Sequence, residues 1–287
     1  MIPGRFTYHR PASVSEAVKL LASLGDDARP LAGGHSLIPM MKLRLAQPEH
    51  LVDLGRIAAL KGIRQDGGDV VIGAMTTQAE IIGSALLKEK APILIEAAKV
   101  IADPQVRYAG TIGGNVANGD PGNDMPGLML CLDARYTLAG PGGTRQVPAR
   151  EFYEAAFFTK LQAGEIVTEV RFAAPPAGHG WAYEKLKRKI GDYAVAAAAV
   201  TLTLSGGKCA SASIALTNVG QTPLLAVDAA KALVGSTVDN AAIEAAAKAA
   251  TAISDPVADT RGPKEYRQSV LGVMVRRAIE RAKSRAR

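Results

Sequence analysis

Ala32-Gly33-Gly34-His35-Ser36 and Thr111-Ile112-Gly113-Gly114-Asn115 decide the reading of this chain. Each follows a short apolar run and delivers a small polar side chain after its glycines. Adjacent residues without Cβ let backbone N–H groups converge on one point, and they admit a bulky anion to the main chain. Two such turns in one domain point to a ligand with a long phosphate-bearing body, such as a dinucleotide. A plain strand-to-loop turn is the competing reading.

The other three Gly-Gly pairs, at 67–68, 142–143 and 206–207, lie between short alternating apolar runs and read as hairpin turns. The pairs at 33–34 and 113–114 have no returning strand beside them. The first is followed by a helical stretch at 39–45, the second by the loop Asn118-Gly-Asp-Pro-Gly-Asn-Asp124. No Gly-x-Gly-x-x-Gly joins a strand to a helix, and no Gly-x4-Gly-Lys-Ser/Thr occurs. A Rossmann site and a P-loop are therefore unsupported.

The 287 residues suffice for one large domain or two modest ones, and 48% hydrophobic content supports a buried core. No apolar run nears the roughly 20 residues that span a bilayer. The first residues lack a signal-peptide pattern, so a cytoplasmic location is expected. Two distant cysteines, Cys131 and Cys209, cannot supply the four ligands that an iron–sulfur cluster normally takes. The four histidines show no metal-ligand spacing, and no acid–base pair or nucleophile stands out. A net charge of +7 with 5% aromatics carries no nucleic-acid motif. The densest basic cluster, Arg276 to Arg287, overlies an apolar stripe. It reads as a closing helix whose cations complement its dipole, with docking onto a partner subunit left open.

Periodicity predicts helices at 13–25 (capped by Ser13 or Ser15), 77–82 (with a Thr77/Glu80 capping box), 91–101, 126–132, 226–234, 240–253 and 264–285. Strands are expected at 29–32, 50–54, 70–74, 165–172, 183–187, 194–204 and 209–217, with a hairpin at 135–138/145–147. Ala174-Pro175-Pro176 marks a domain boundary. The fold class is α+β: residues 1–176 as two α/β subdomains, about 1–56 and 57–176, then 177–287 as a three-stranded sheet with helices.

These motifs, with Asp124 and Tyr183-Glu-Lys-Leu-Lys-Arg-Lys-Ile-Gly-Asp192, resemble the FAD-binding subunits of the molybdenum hydroxylases over essentially the whole length. Ile2-Pro-Gly-Arg-Phe-Thr-Tyr-His-Arg-Pro11 and Asp103-Pro-Gln-Val-Arg-Tyr108 are most similar to the carbon monoxide dehydrogenase branch, medium subunits of the aerobic enzymes. The resemblance implies a PCMH/vanillyl-alcohol-oxidase-type FAD-binding domain followed by an antiparallel-sheet-and-helix domain. It implies that both turns, residues Ala32, Gly33, Gly34, His35 and Ser36 with Thr111, Ile112, Gly113, Gly114 and Asn115, cradle the FAD pyrophosphate. Asp124 would contact the nucleotide end, or serve as a helix cap. Ile101 would face the flavin, or pack as helix core. Lys185 would reach the flavin, or sit on a solvated strand face. Tyr193 would lie near the isoalloxazine ring, or pack internally.

The resemblance further implies a molybdenum-binding large subunit and an iron–sulfur small subunit as partners, in a dimer of heterotrimers. Electrons from CO oxidation would pass through [2Fe–2S] clusters and FAD to a quinone or cytochrome, with peripheral membrane association of the complex left open. FAD subunits of xanthine, aldehyde or N-heterocycle dehydrogenases are the sister reading; a non-catalytic anion-binding module is the reading from another class.

Overall fold

A computed structural model describes residues 2–287. The chain opens with β1 (Thr7–His9), α1 (Val14–Leu24), β2 (Ala28–Leu31), α2 (Leu37–Lys42) and β3 (His50–Asp53), forming a parallel sheet of order β1-β3-β2. Ser13, rather than Ser15, caps α1: its hydroxyl accepts from Glu16 N at 3.2 Å, and Glu16 Oε2 accepts from Ala12 N at 2.8 Å. Ala17, Val18 and Leu21 of α1 meet Val52 and Ile166 in a small core. The first strand, Thr-Tyr-His, was not foreseen; three half-polar residues carry no alternation.

The middle of the chain runs β4 (Ile63–Asp66), β5 (Asp69–Gly73), α3 (Gln78–Gly83), α4 (Ala85–Lys90), α5 (Pro92–Val100), α6 (Pro104–Ala109), α7 (Ile112–Ala117) and α8 (Asp124–Cys131). It continues through β6 (Arg135–Gly140), β7 (Gly143–Pro148), α9 (Ala149–Phe152), β8 (Tyr153–Ala155), β9 (Phe158–Thr159) and β10 (Ile166–Ala173). β4, β5, β10, β6 and β7 pair antiparallel in that order. The Thr77/Glu80 capping box forms as expected. Residues 112–117, expected as loop, are helical: the Thr111 hydroxyl accepts from Gly114 N at 3.1 Å and caps α7. Helix α8 is buried on every side, as the apolar run that follows Asp124 requires.

The last third holds β11 (Gly180–Leu186), β12 (Ala196–Ser205), β13 (Lys208–Thr217), β14 (Leu224–Leu225), α10 (Val227–Leu233), α11 (Asn240–Ala252) and α12 (Lys264–Arg285). The sheet has four strands, not the three expected; β14 adds two residues to the edge of β13. Strand β12 is buried on both faces. Ala197 and Ala199 face the core of the first 176 residues, while Ala198, Val200 and Leu202 face α10 to α12. Alanine fits here because helices press on a strand from both sides.

The basic tail of α12 is internal wiring. Arg281 and Arg285 pair with Glu96 of α5 at 2.9 and 3.0 Å, and Arg281 also pairs with Glu184. The Arg285 guanidinium stacks 3.8 Å from the Trp181 ring centroid. Arg267, 2% exposed, donates to the carbonyls of Val195, Val257 and Asn218, tying three loops to α12. Replacing Arg267 with Ala strands three carbonyls; we expect a loss of roughly 3 kcal/mol, read as a lower urea midpoint. A midpoint unchanged from wild type would remove this tie from the list of stabilising contacts.

Candidate functional site

The two glycine turns touch. A Cβ on Gly33 would collide with the Ala109 carbonyl oxygen and come within 2.7 Å of Gly110 Cα, immediately before the second turn. A Cβ on Gly113 would collide with Ala74 and come within 2.6 Å of its carbonyl oxygen. Glycine is required at both places because backbone lies against backbone. Gly110 O accepts from Gln78 N and Thr76 O from Ile112 N, both at 2.9 Å, locking the second turn to the start of α3.

The turns differ in what they offer a ligand. The N–H groups of Gly33, Gly34, His35 and Ser36 find no acceptor among the described residues. Those of the second turn are engaged: Ile112 with Thr76 O, Gly113 with Ala74 O at 2.8 Å, Gly114 with Thr111 Oγ1 and Asn115 with Thr111 O at 3.0 Å. Asn115 Oδ1 accepts from Met125 N at 3.1 Å, which anchors α8. Open amides therefore belong to the first turn, and the second builds a rigid wall.

A cavity of about 540 Å³ lies beside this junction, within the range of small-molecule sites. Every residue expected to contact the cofactor lines it except Ile112, whose fully buried side chain packs into the main core. Ile101 and Tyr193 flank it, and His35 stands exposed at its edge.

Asp124 and Lys185 were expected at opposite ends of the ligand. They form one buried ion pair at 2.7 Å, with side chains 6% and 2% exposed. Tyr183 OH donates to the other Asp124 oxygen at 2.6 Å. Burial, reinforced by the Asp124 charge, holds the Tyr183 phenol well above its usual range, so it stays a neutral donor. The helix-cap reading of Asp124 fails: Asn123 occupies the cap position, and Asp124 begins the helix facing inward. The solvated-face reading of Lys185 fails too, because β11 lies against α5 and the Lys185 ammonium sits between Asp124 and the Val100 carbonyl rather than in water.

Gln78, Asn118 and Asn123 line the cavity without having been singled out by sequence. Gln78 is 2% exposed, and both atoms of its amide lack a hydrogen-bond partner. Only its place after the Thr77 cap signals it, and that says nothing of which way the side chain turns. Taken together, backbone that leaves no space for a Cβ, four open amides, an unpartnered buried amide and a paired cation fit a nucleotide with an anionic middle and a flat polar-edged ring.

Comparison with known proteins agrees with this geometry. The "FAD binding domain in molybdopterin dehydrogenase" model matches residues 4–175, and the "CO dehydrogenase flavoprotein C-terminal domain" model matches residues 181–282. The chain belongs to this family of flavoprotein subunits. It is 63% identical, over 100% of both chains, to the carbon monoxide dehydrogenase medium chain of Afipia carboxidovorans. Among solved structures, reconstituted CO dehydrogenase from Oligotropha carboxidovorans has a matching chain with a TM-score of 0.99 and 64% identity, covering 100% of both. The enzyme from Hydrogenophaga pseudoflava lacking the Mo-pyranopterin moiety matches with a TM-score of 0.99 and 53% identity, again over 100% of both.

Burial, with the Asp120 carboxylate adding to it, pushes the Tyr193 phenol up to about 12. A raised phenol value favours the neutral form, so this ring stays uncharged through pH 10, where ordinary tyrosines ionise. Ultraviolet difference titration against Tyr193→Phe should show its ionisation close to pH 12. A signal at pH 10 would place Tyr193 in open solvent.

Proposed function

We propose that this chain is the FAD-carrying subunit of a molybdenum/iron–sulfur/flavin oxidoreductase that oxidises CO to CO2. The observation that carries the reading is the pair of abutting glycine turns beside a cavity, with four unpaired amides on one of them. Full-length similarity to chains named carbon monoxide dehydrogenase medium chain supports the substrate.

The N–H groups of residues 33–36 hold the pyrophosphate, each charge-assisted hydrogen bond contributing about 1.5–3 kcal/mol. Ser36 and Thr111 add hydroxyls at the same junction, and Asn115 an amide. Ile101 and Tyr193 enclose the flat ring, with the Asp124–Lys185 pair at its polar edge and Gln78 in the adjoining wall. When bound, FAD supplies the capacity to take electrons from one-electron carriers and pass them to an external acceptor. The polypeptide's part is to bind, orient and exclude water.

Partner subunits hold the metal centres. A [2Fe–2S] cluster takes four protein ligands; the two cysteines here are both buried and free, and burial raises the Cys131 thiol to about 11. We place the clusters on a small subunit and the molybdenum cofactor on a large one, as a cytoplasmic dimer of heterotrimers. No helix among the described residues is long and apolar enough to cross a membrane. The acceptor is a quinone or cytochrome.

In the purified complex, CO should bleach the flavin absorbance, and xanthine, aldehydes or N-heterocycles should not. Bleaching by one of those instead would move the chain to a sister enzyme without altering its site. Gly33→Val should weaken FAD retention at least tenfold, about 1.4 kcal/mol, with subunit assembly kept. Undiminished flavin content in that variant would refute the cradle.

A further inference from the structure

Three cations converge on the carbonyls at the end of α5. Arg107 Nη1 donates to Ile101 O at 2.8 Å, with Lys99 O and Ala102 O each 3.4 Å away. Lys187 Nζ donates to Val100 O at 3.0 Å. Lys185 Nζ reaches the same carbonyl at 3.4 Å, beside its ion pair with Asp124.

A helix end leaves orphan carbonyls, and a cation near them is favourable. One cation meets that need; three, all at least half-buried, go beyond it. Arg107 grips Ile101 and Ala102, which line the cavity, and the two lysines grip Val100, the residue immediately before them. Ala102 stands at φ +41, a backbone conformation that an L side chain rarely adopts, so this wall is held rather than relaxed. Among the described residues, Asp124 is the one carboxylate paired with any of the three cations. Positive charge is therefore in excess here. Burial first, and the Lys185 and Arg107 charges after it, hold the Lys187 ammonium below its ordinary range against the pull of Asp124.

We propose that Arg107 and Lys187, neither of which lines the cavity, are positioning residues that set the reduction potential of the bound cofactor. The inference rests on the reading above that the ring end of FAD lies against Ile101 and the Asp124–Lys185 pair. Reduced flavin carries more negative charge than oxidised flavin. A fixed positive field at short range in a medium less polarisable than water stabilises the reduced form more. Arg107 also fixes the wall that the ring meets, and Lys187 fixes the residue before it, so the field keeps one geometry. The device makes the flavin a better sink for electrons arriving from a cluster.

The test uses the assembled, flavin-loaded complex with Lys187→Gln, Arg107→Gln and Lys187→Arg. Glutamine keeps an N–H donor for the carbonyl and removes the charge; arginine keeps the charge. Flavin content is measured first, then the midpoint potential by spectroelectrochemical titration. We expect both glutamine variants to shift the midpoint to more negative values, and Lys187→Arg to keep the wild-type value. Bound flavin with an unchanged midpoint in both glutamine variants would overturn the inference and leave the site reading intact. A Gly33→Val complex with full flavin content would fail the site reading itself. Where a variant loses flavin, affinities for oxidised and reduced FAD are compared in reconstituted complex. A larger loss for reduced FAD supports the inference, and an equal loss overturns it.

Discussion

The backbone contact between Gly33 and residues 109–110 is the constraint on which the rest of the site depends. With no Cβ between them, the turn after β2 lies directly on the end of α6. That contact joins the small parallel sheet to the antiparallel five-stranded unit and leaves the amides of residues 33–36 pointing away from every protein acceptor. An unpaired run of N–H groups is costly to keep dry and favourable to aim at an anion. Close approach and open amides are two results of one choice of residue. The second turn uses its glycines differently: Gly113 brings α7 against Ala74, where its own amide bonds the Ala74 carbonyl, and its neighbours' amides close on Thr76 and Thr111.

The C-terminal sheet completes the site from the other side. Strand β11 carries Tyr183 and Lys185 to Asp124 at the start of the fully buried α8. Glu96 accepts from Tyr183 N at 2.7 Å and takes Arg281 and Arg285 from α12, so the last helix, the sheet and α5 are cross-braced at one carboxylate. These charges are part-exposed and each pair alone is worth little in water. Their value is geometric, since they fix the height of β11 relative to the end of α5, where Ile101 meets the cavity.

Much of this architecture is legible in the residues. Capping boxes, proline starts and hairpin glycines are local signals, and Ser13, Thr77, Pro92 and Gly206–207 act as their chemistry dictates. What escaped reading is set by long-range packing. Residues 112–117 look like loop because two adjacent glycines disfavour helix; the helix forms because Gly113 must pass close to Ala74. Lys185 looks solvent-facing because alternation along β11 does not reveal that α5 lies against it. The unpartnered amide of Gln78 and the pairing of Asp124 with Lys185, 61 residues apart, leave no trace in spacing. The basic tail shows its charge in sequence, but its acidic partners Glu96 and Glu184 lie far upstream.

Hydrogen exchange of the assembled complex, with flavin bound and with flavin stripped, addresses the asymmetry of the two turns most directly. The amides of residues 33–36 should exchange quickly when the site is stripped and become strongly protected when FAD is bound. Those of residues 112–115, already bonded within the chain, should be protected in both states. Residues 33–36 exchanging at the same rate with and without flavin would contradict the claim that the first turn holds the cofactor's phosphates.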